Sequence, residues 1–75
     1  MDDVVANTLD AVARGDWRRV REVLHPYLHW SGRTGQTVRG RNNVVLFLQT
    51  SPPLLPPLSF ELRDGQIYRW AEPAG

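Results

Sequence analysis

Asp64-Gly65 is the residue pair that most constrains this chain. It sits inside LSFELRDGQIYRW, Leu58 to Trp70, between two runs of strand-favouring residues. The dipeptide supplies the positive φ that a tight hairpin turn demands. A β-hairpin is therefore expected late in the chain, after a first half whose apolar residues recur at helical spacing. Helices first and sheet finished last is an α+β order.

The hairpin admits two registers. With a three-residue turn and Gly65 left-handed, Leu58, Phe60 and Leu62 share a face with Tyr68 and Trp70. With a two-residue turn, Phe60 and Leu62 share a face with Ile67, and Tyr68 and Trp70 join Ser59 and Glu61. The first groups more apolar surface and is favoured, because a one-residue slip moves every side chain to the other face. In either register both faces carry apolar groups, so helices are expected over one face and a second subunit over the other.

Upstream, Asp2-Asp3 can cap a first helix running to about Arg14, with Val5, Leu9, Val12 and Ala13 on its apolar face and Val4 and Thr8 beside them. Gly15 stops it. Asp16 caps a second helix of about nine residues, with Trp17, Val20, Val23 and Leu24 inward, ended by Pro26. Tyr27 to Trp30 reads as a short aromatic strand. Gly32 to Gly40 reads as a turn and a short strand, and Gly40 opens a third helix with Val44, Val45, Leu48 and Phe47 inward. Pro52-Pro53 and Pro56-Pro57 enclose Leu54-Leu55, which forbids helix and central strand and predicts a stiff extended connector.

Seventy-five residues allow a single domain over 1–75 with a thin core, since folding at this size removes only about 60 % of the unfolded chain's surface. Cysteine is absent, so no disulfide staples it. His25 and His29 have no third ligand at metal spacing, so neither metal nor cofactor is expected. Three Trp, two Phe and two Tyr in so small a chain point to a core completed by a second copy, a homodimer formed through the sheet face. Nine arginines, no lysine and eight acids give a formal charge of +1, spread along the chain rather than gathered on one face. Nucleic acid is not an expected partner. No apolar run approaches the ~20 residues of a membrane span, and the first residues are acidic. A cytoplasmic protein without membrane contact is expected.

Five pieces carry a resemblance: Ala13-Arg14-Gly15-Asp16-Trp17, Leu24-His25-Pro26, Trp30, Val38-Arg39-Gly40-Arg41 and Arg63-Asp64-Gly65-Gln66-Ile67. In this order, over about residues 5 to 71, the chain resembles the nuclear transport factor 2-like (NTF2-like) superfamily, in its SnoaL-like, polyketide-cyclase-like branch. The resemblance implies three helices packed on a small curved antiparallel sheet, a shortened cone enclosing a pocket, and dimerisation through the sheet. It also implies reactions of isomerase, dehydratase, epoxide hydrolase or cyclase type among relatives. Two departures matter. The proline connector takes the place of a further hairpin, which implies a shallow pocket. Ser31 stands where isomerase-like relatives carry an acid, and Leu58-Ser59 where cyclase-like ones do.

The residues left to do chemistry are few. His29 and Tyr27 alternate on one strand and so share a face, with Tyr68 or Trp70 as neighbours. Histidine is the usual general acid or base near neutral pH, so an isomerase- or dehydratase-type enzyme using His29 with Tyr27 or Tyr68 is the alternative reading. A general base needs an orienting partner, and the chain declares none. Trp17, Trp30, Phe47, Phe60 and Trp70 are the residues expected around a remnant pocket for a small apolar ligand, or in a core or dimer contact. His25, Asp16 and Asp64 read as helix-end, cap and turn residues. The leading expectation is a non-catalytic binding or assembly domain, with a structural partner-binding module as a further alternative.

Overall fold

The computed structural model describes residues 2–51 and 53–74. Its elements run α1 (Asp3–Arg14), α2 (Trp17–Val23), β1 (Leu24–Ser31), β2 (Thr37–Arg39), α3 (Arg41–Gln49), β3 (Ser59–Arg63) and β4 (Gln66–Ala71). Three helices and a four-stranded sheet in the order β2-β1-β4-β3 make an α+β fold, as expected.

The helix ends follow local chemistry. The Asp2 carboxylate accepts the Val4 N–H at 2.8 Å and Asp16 accepts that of Arg19 at 3.2 Å, each satisfying a donor the helix leaves free. Gly15 closes α1 in the left-handed conformation, φ 68°, with its N–H turned to the Ala11 and Val12 carbonyls. Val5, Thr8 and Ala11 are the buried residues of α1, while Ala13 is exposed. Thr8 tolerates burial because its hydroxyl donates to the Val4 carbonyl at 2.8 Å. In α3, Val44, Val45 and Leu48 are buried and Phe47 packs beside them.

Two boundaries differ from expectation. The second helix is seven residues rather than about nine, and β1 starts at Leu24 instead of Tyr27. Pro26 therefore lies within a strand. Leu24 pairs with Ile67, but the next pairing along β1 is His29 with Arg69, so the two strands part company around the proline. The missing N–H costs no ladder hydrogen bond there.

The sheet is mixed, not antiparallel throughout. β1 pairs antiparallel with β2 and β4 with β3, but β1 and β4 run parallel. β4 takes the central place because it carries two fully apolar inward positions, Ile67 and Trp70, at 0 % and 1 % exposure. β3, with exposed residues, stays at the edge.

The favoured hairpin register is corrected. Asp64 and Gly65 both have positive φ, 55° and 76°, and Arg63 pairs with Gln66, so the turn has two residues. Leu62 then faces Ile67, as the other register requires. Beyond that, Tyr68 is an extra residue on β4: Glu61 pairs with Arg69 and Phe60 with Trp70. This β-bulge turns Ile67 and Trp70, three residues apart, to the same side, which strict alternation forbids. Tyr68 is thereby parted from Trp70.

The core lies between the sheet and the helices. Leu28 and Trp30 from β1, Ile67 and Trp70 from β4, Val5, Val20 and Leu24, and the α3 residues fill it. The connector follows α3 without regular structure over 53–57, and its Leu54 packs on the core; Pro52 lies outside the described residues. Among the described residues no helix is long and apolar enough to cross a membrane.

Candidate functional site

Strand alternation sends β1 residues Leu28 and Trp30 inward, and His25, Tyr27 and His29 to the outer face of the sheet, away from the helices. The Tyr68 bulge delivers its ring to the same place. The His25 and His29 rings both meet Tyr68 edge-on, with centroids 5.2 and 5.7 Å away, and the Arg63 guanidinium lies 4.1 Å from the Tyr68 centroid. Cations over a tyrosine face and edge-to-face rings are favourable by about 0.5–1.5 kcal/mol each.

His25 is not the helix-end residue the sequence suggests. It sits on β1, where its Nδ1 accepts the Tyr27 backbone N–H at 3.1 Å, so the proton of the neutral ring is on Nε2. That nitrogen stands 4.0 Å from the Asp64 carboxylate of the turn. His29 has different neighbours: Arg39 across β2 and Arg69 across β4, with Glu61 next along the same row. Arg69 and Glu61 form an ion pair at 3.8 Å. An open groove of about 350 Å³ runs beside His29, over Ser31, Ser59, Glu61, Arg69 and Ala71.

His29, Tyr27 and Tyr68, the candidate chemical residues, are thus brought to one face, joined there by His25. The face is open. Tyr27 is 76 % exposed, and the contact of His29 with Tyr68 is ring packing. Among the described residues no three His, Cys, Asp or Glu gather at metal-binding distance.

The aromatic residues expected around a pocket are placed differently from one another. Trp30 and Trp70 stack at 4.8 Å, 5° from parallel, in the middle of the core. Trp17 and Phe47 pack on the core from its rim, and Phe60 is exposed on β3.

A second cluster was not anticipated. Trp30 Nε1 donates to Glu72 Oε2 at 3.1 Å, and Glu72 Oε1 is 3.6 Å from Arg33 Nε. The Glu72 side chain is only 6 % exposed. Arg33 also donates to the Pro53 carbonyl at 2.6 Å. A groove of about 330 Å³ opens here between Arg33, Gln36, Phe47, Thr50 and Glu72. The only sequence signal was indirect: a buried indole N–H seeks an acceptor, and Glu72 is the acid nearest the end of the last strand.

Solved structures similar to this chain come from three bacteria. A candidate ketosteroid isomerase from Kribbella flavida DSM 17836 superposes with TM-score 0.75 at 16 % identity, over 92 % of this chain and 73 % of that one. A candidate polyketide cyclase from Xanthomonas campestris pv. campestris gives 0.75 at 19 % identity, over 96 % and 87 %. An NTF-2 like protein of unknown function from Burkholderia xenovorans LB400 gives 0.65 at 14 %, over 97 % and 84 %. These likenesses speak for the fold. No curated protein matches the chain. The family model of the SnoaL-like domain, however, matches residues 5–70, nearly the whole length. By that match, with the helix–sheet architecture just described, the chain belongs to the SnoaL-like domain family of the NTF2-like superfamily.

Proposed function

We propose that this domain acts by assembly rather than catalysis, as a homodimer formed through the outer face of its sheet. The observation that carries the reading is the Trp30–Trp70 stack. The two largest fully buried side chains lie on each other between sheet and helices, where a substrate would have to enter, while both histidines sit on the opposite face.

That outer face suits a second copy. Read across the sheet, one row runs Arg39, His29, Arg69, Glu61. A two-fold axis over its middle reverses the row in the partner, so each Arg39 meets a Glu61 and each Arg69 a His29. The Arg39–Glu61 contacts at the two ends of the row are complementary in charge, as an isologous interface favours. Tyr27 and Tyr68 supply apolar area with a polar tip, the residue type favoured at interface centres.

Sedimentation equilibrium tests the reading. Wild type should show twice the monomer mass at micromolar concentration, and Tyr27→Glu should run as a folded monomer with an unchanged far-UV spectrum. A monomeric wild type at that concentration overturns it. Trp70, expected in a pocket, core or dimer contact, faces the helices, as does Ile67, so neither can serve in this test.

A further inference from the structure

Among the described residues no helix packs closely over β3. It packs on β4 and touches little else. On its inner side Phe60 is 42 % exposed and Leu62 is half-buried toward Ile67, while Leu58, just before the strand, is 77 % exposed with its N–H bonded to the Ala71 carbonyl. Its other edge is the end of the sheet, so a row of N–H and C=O groups has no strand beside it. Because Arg63 and Gln66 flank a two-residue turn and exchange hydrogen bonds, alternation turns the main-chain groups of Phe60 and Leu62 outward. Exposed strand edges with apolar rows pair with other strands unless something blocks them.

Two devices that block such an edge, a proline and a bulge, are absent from β3 itself, although the strand is only five residues long and carries Glu61 and Arg63. The bulge of the hairpin is on β4. Further limits lie at the ends of β3: Pro56-Pro57 before it and the Asp64-Gly65 turn after it. Pairing is therefore confined to a short segment and cannot run on into a longer ladder.

We propose that β3 pairs with β3 of another copy, antiparallel, with the two-fold axis at Phe60. This goes beyond the outer-face dimer and shares only Glu61 with it. The register follows from the sequence of the strand. Centred on Phe60, the two Phe60 rings face each other on the inner side, and each Leu58, one residue outside the strand, comes to the end of the row beside the partner's Leu62. On the outer side Ser59 meets the partner's Glu61. Centred one residue later, Glu61 would face Glu61, and like charges directly opposite are unfavourable. The Phe60 register forms on the order of four main-chain hydrogen bonds and joins two four-stranded sheets into one. So short a contact is weaker than the outer-face dimer and forms at higher concentration.

Amide hydrogen exchange read across protein concentration tests this. In wild type, exchange at the Phe60 and Leu62 amides should slow about tenfold from dilute to concentrated solution. Phe60→Lys and Leu58→Lys, both at exposed positions, should abolish the slowing, and Tyr27→Glu should retain it. Exchange at these amides that ignores concentration overturns the proposal, as does slowing that persists in both lysine variants or vanishes in Tyr27→Glu. The two contacts fail separately. A wild type that is monomeric at micromolar concentration, yet protects the Phe60 amide when concentrated, removes the outer-face dimer and leaves the edge.

Discussion

Trp30→Phe and Trp70→Phe remove the same atoms from two stacked rings, and they should nevertheless differ widely in stability. Both rings are fully buried, at 0 % and 1 % exposure, so the loss of packing and the void left behind are nearly common to the two variants. The indole nitrogens are not equivalent. Trp30 Nε1 donates to the buried Glu72 carboxylate, and a hydrogen bond to a charged group is worth about 1.5–3 kcal/mol. Trp70 Nε1 is buried without a partner among the described residues, a cost of about 1–3 kcal/mol that phenylalanine escapes. Together these separate the variants by about 4 kcal/mol. Against a total stability of about 5–10 kcal/mol, Trp30→Phe should be close to unfolded and Trp70→Phe should stay well folded. Urea unfolding followed by far-UV circular dichroism, at one fixed protein concentration, measures the gap. Midpoints equivalent to less than about 1 kcal/mol apart, or the reverse order, would refute the assignment of roles to the two nitrogens. Glu72→Gln sharpens the test: in the Trp30→Phe background, where the carboxylate keeps only Arg33, it should cost less than in wild type, where it also weakens the bond to Trp30.

Other substitutions address the fold and its surfaces. Gly65→Ala places a Cβ at φ 76° and should cost about 1–2 kcal/mol, read as a drop in Tm of several degrees; an unchanged Tm would contradict the two-residue turn. Asp2→Ala removes the cap on α1 and should cost about 1 kcal/mol in the same melt, with fraying of the first turn seen by amide exchange. Ile67→Glu buries a charge among apolar neighbours and should abolish helical circular dichroism, whereas Tyr27→Glu, on an exposed side chain, should leave it intact. If Ile67→Glu folds, the inward assignment of that residue is wrong.

What could be read beforehand was what acts within one turn of chain. Asp2, Asp16, Gly15 and Gly40 mark helix ends because a cap is local chemistry, and all four sit where that chemistry puts them. Pro26 misled for the same reason: a proline stops a helix locally, but its place in β1 depends on β4 departing from β1 at that point. The Tyr68 bulge was hidden too. Periodicity shows which residues alternate, and an inserted residue is visible only in what lies opposite it. The parallel pairing of β1 with β4 rests on contacts some forty residues apart in sequence, beyond any local signal. The candidate site divides likewise. Alternation placed His29 and Tyr27 on one face, whereas His25, Arg63 and Glu72 reached their partners only through the turn, the bulge and the end of the last strand.

The proline connector is tied into the core. Leu54 packs on the core from it, and the Pro53 carbonyl is held by Arg33. Arg33 in turn pairs with Glu72, Glu72 accepts the Trp30 N–H, and Trp30 stacks on Trp70. A single line of contacts thus runs from the connector, across the turn between β1 and β2, to the centre of the core. Each link holds the next in place: without Glu72 the Trp30 indole loses its acceptor, and without Arg33 the carboxylate sits buried with only one neutral donor. A ligand entering between sheet and helices would have to break this line and separate two stacked indoles. The faces left free for partners are therefore the outer side of the sheet and the uncovered strand β3, where the two proposed contacts lie.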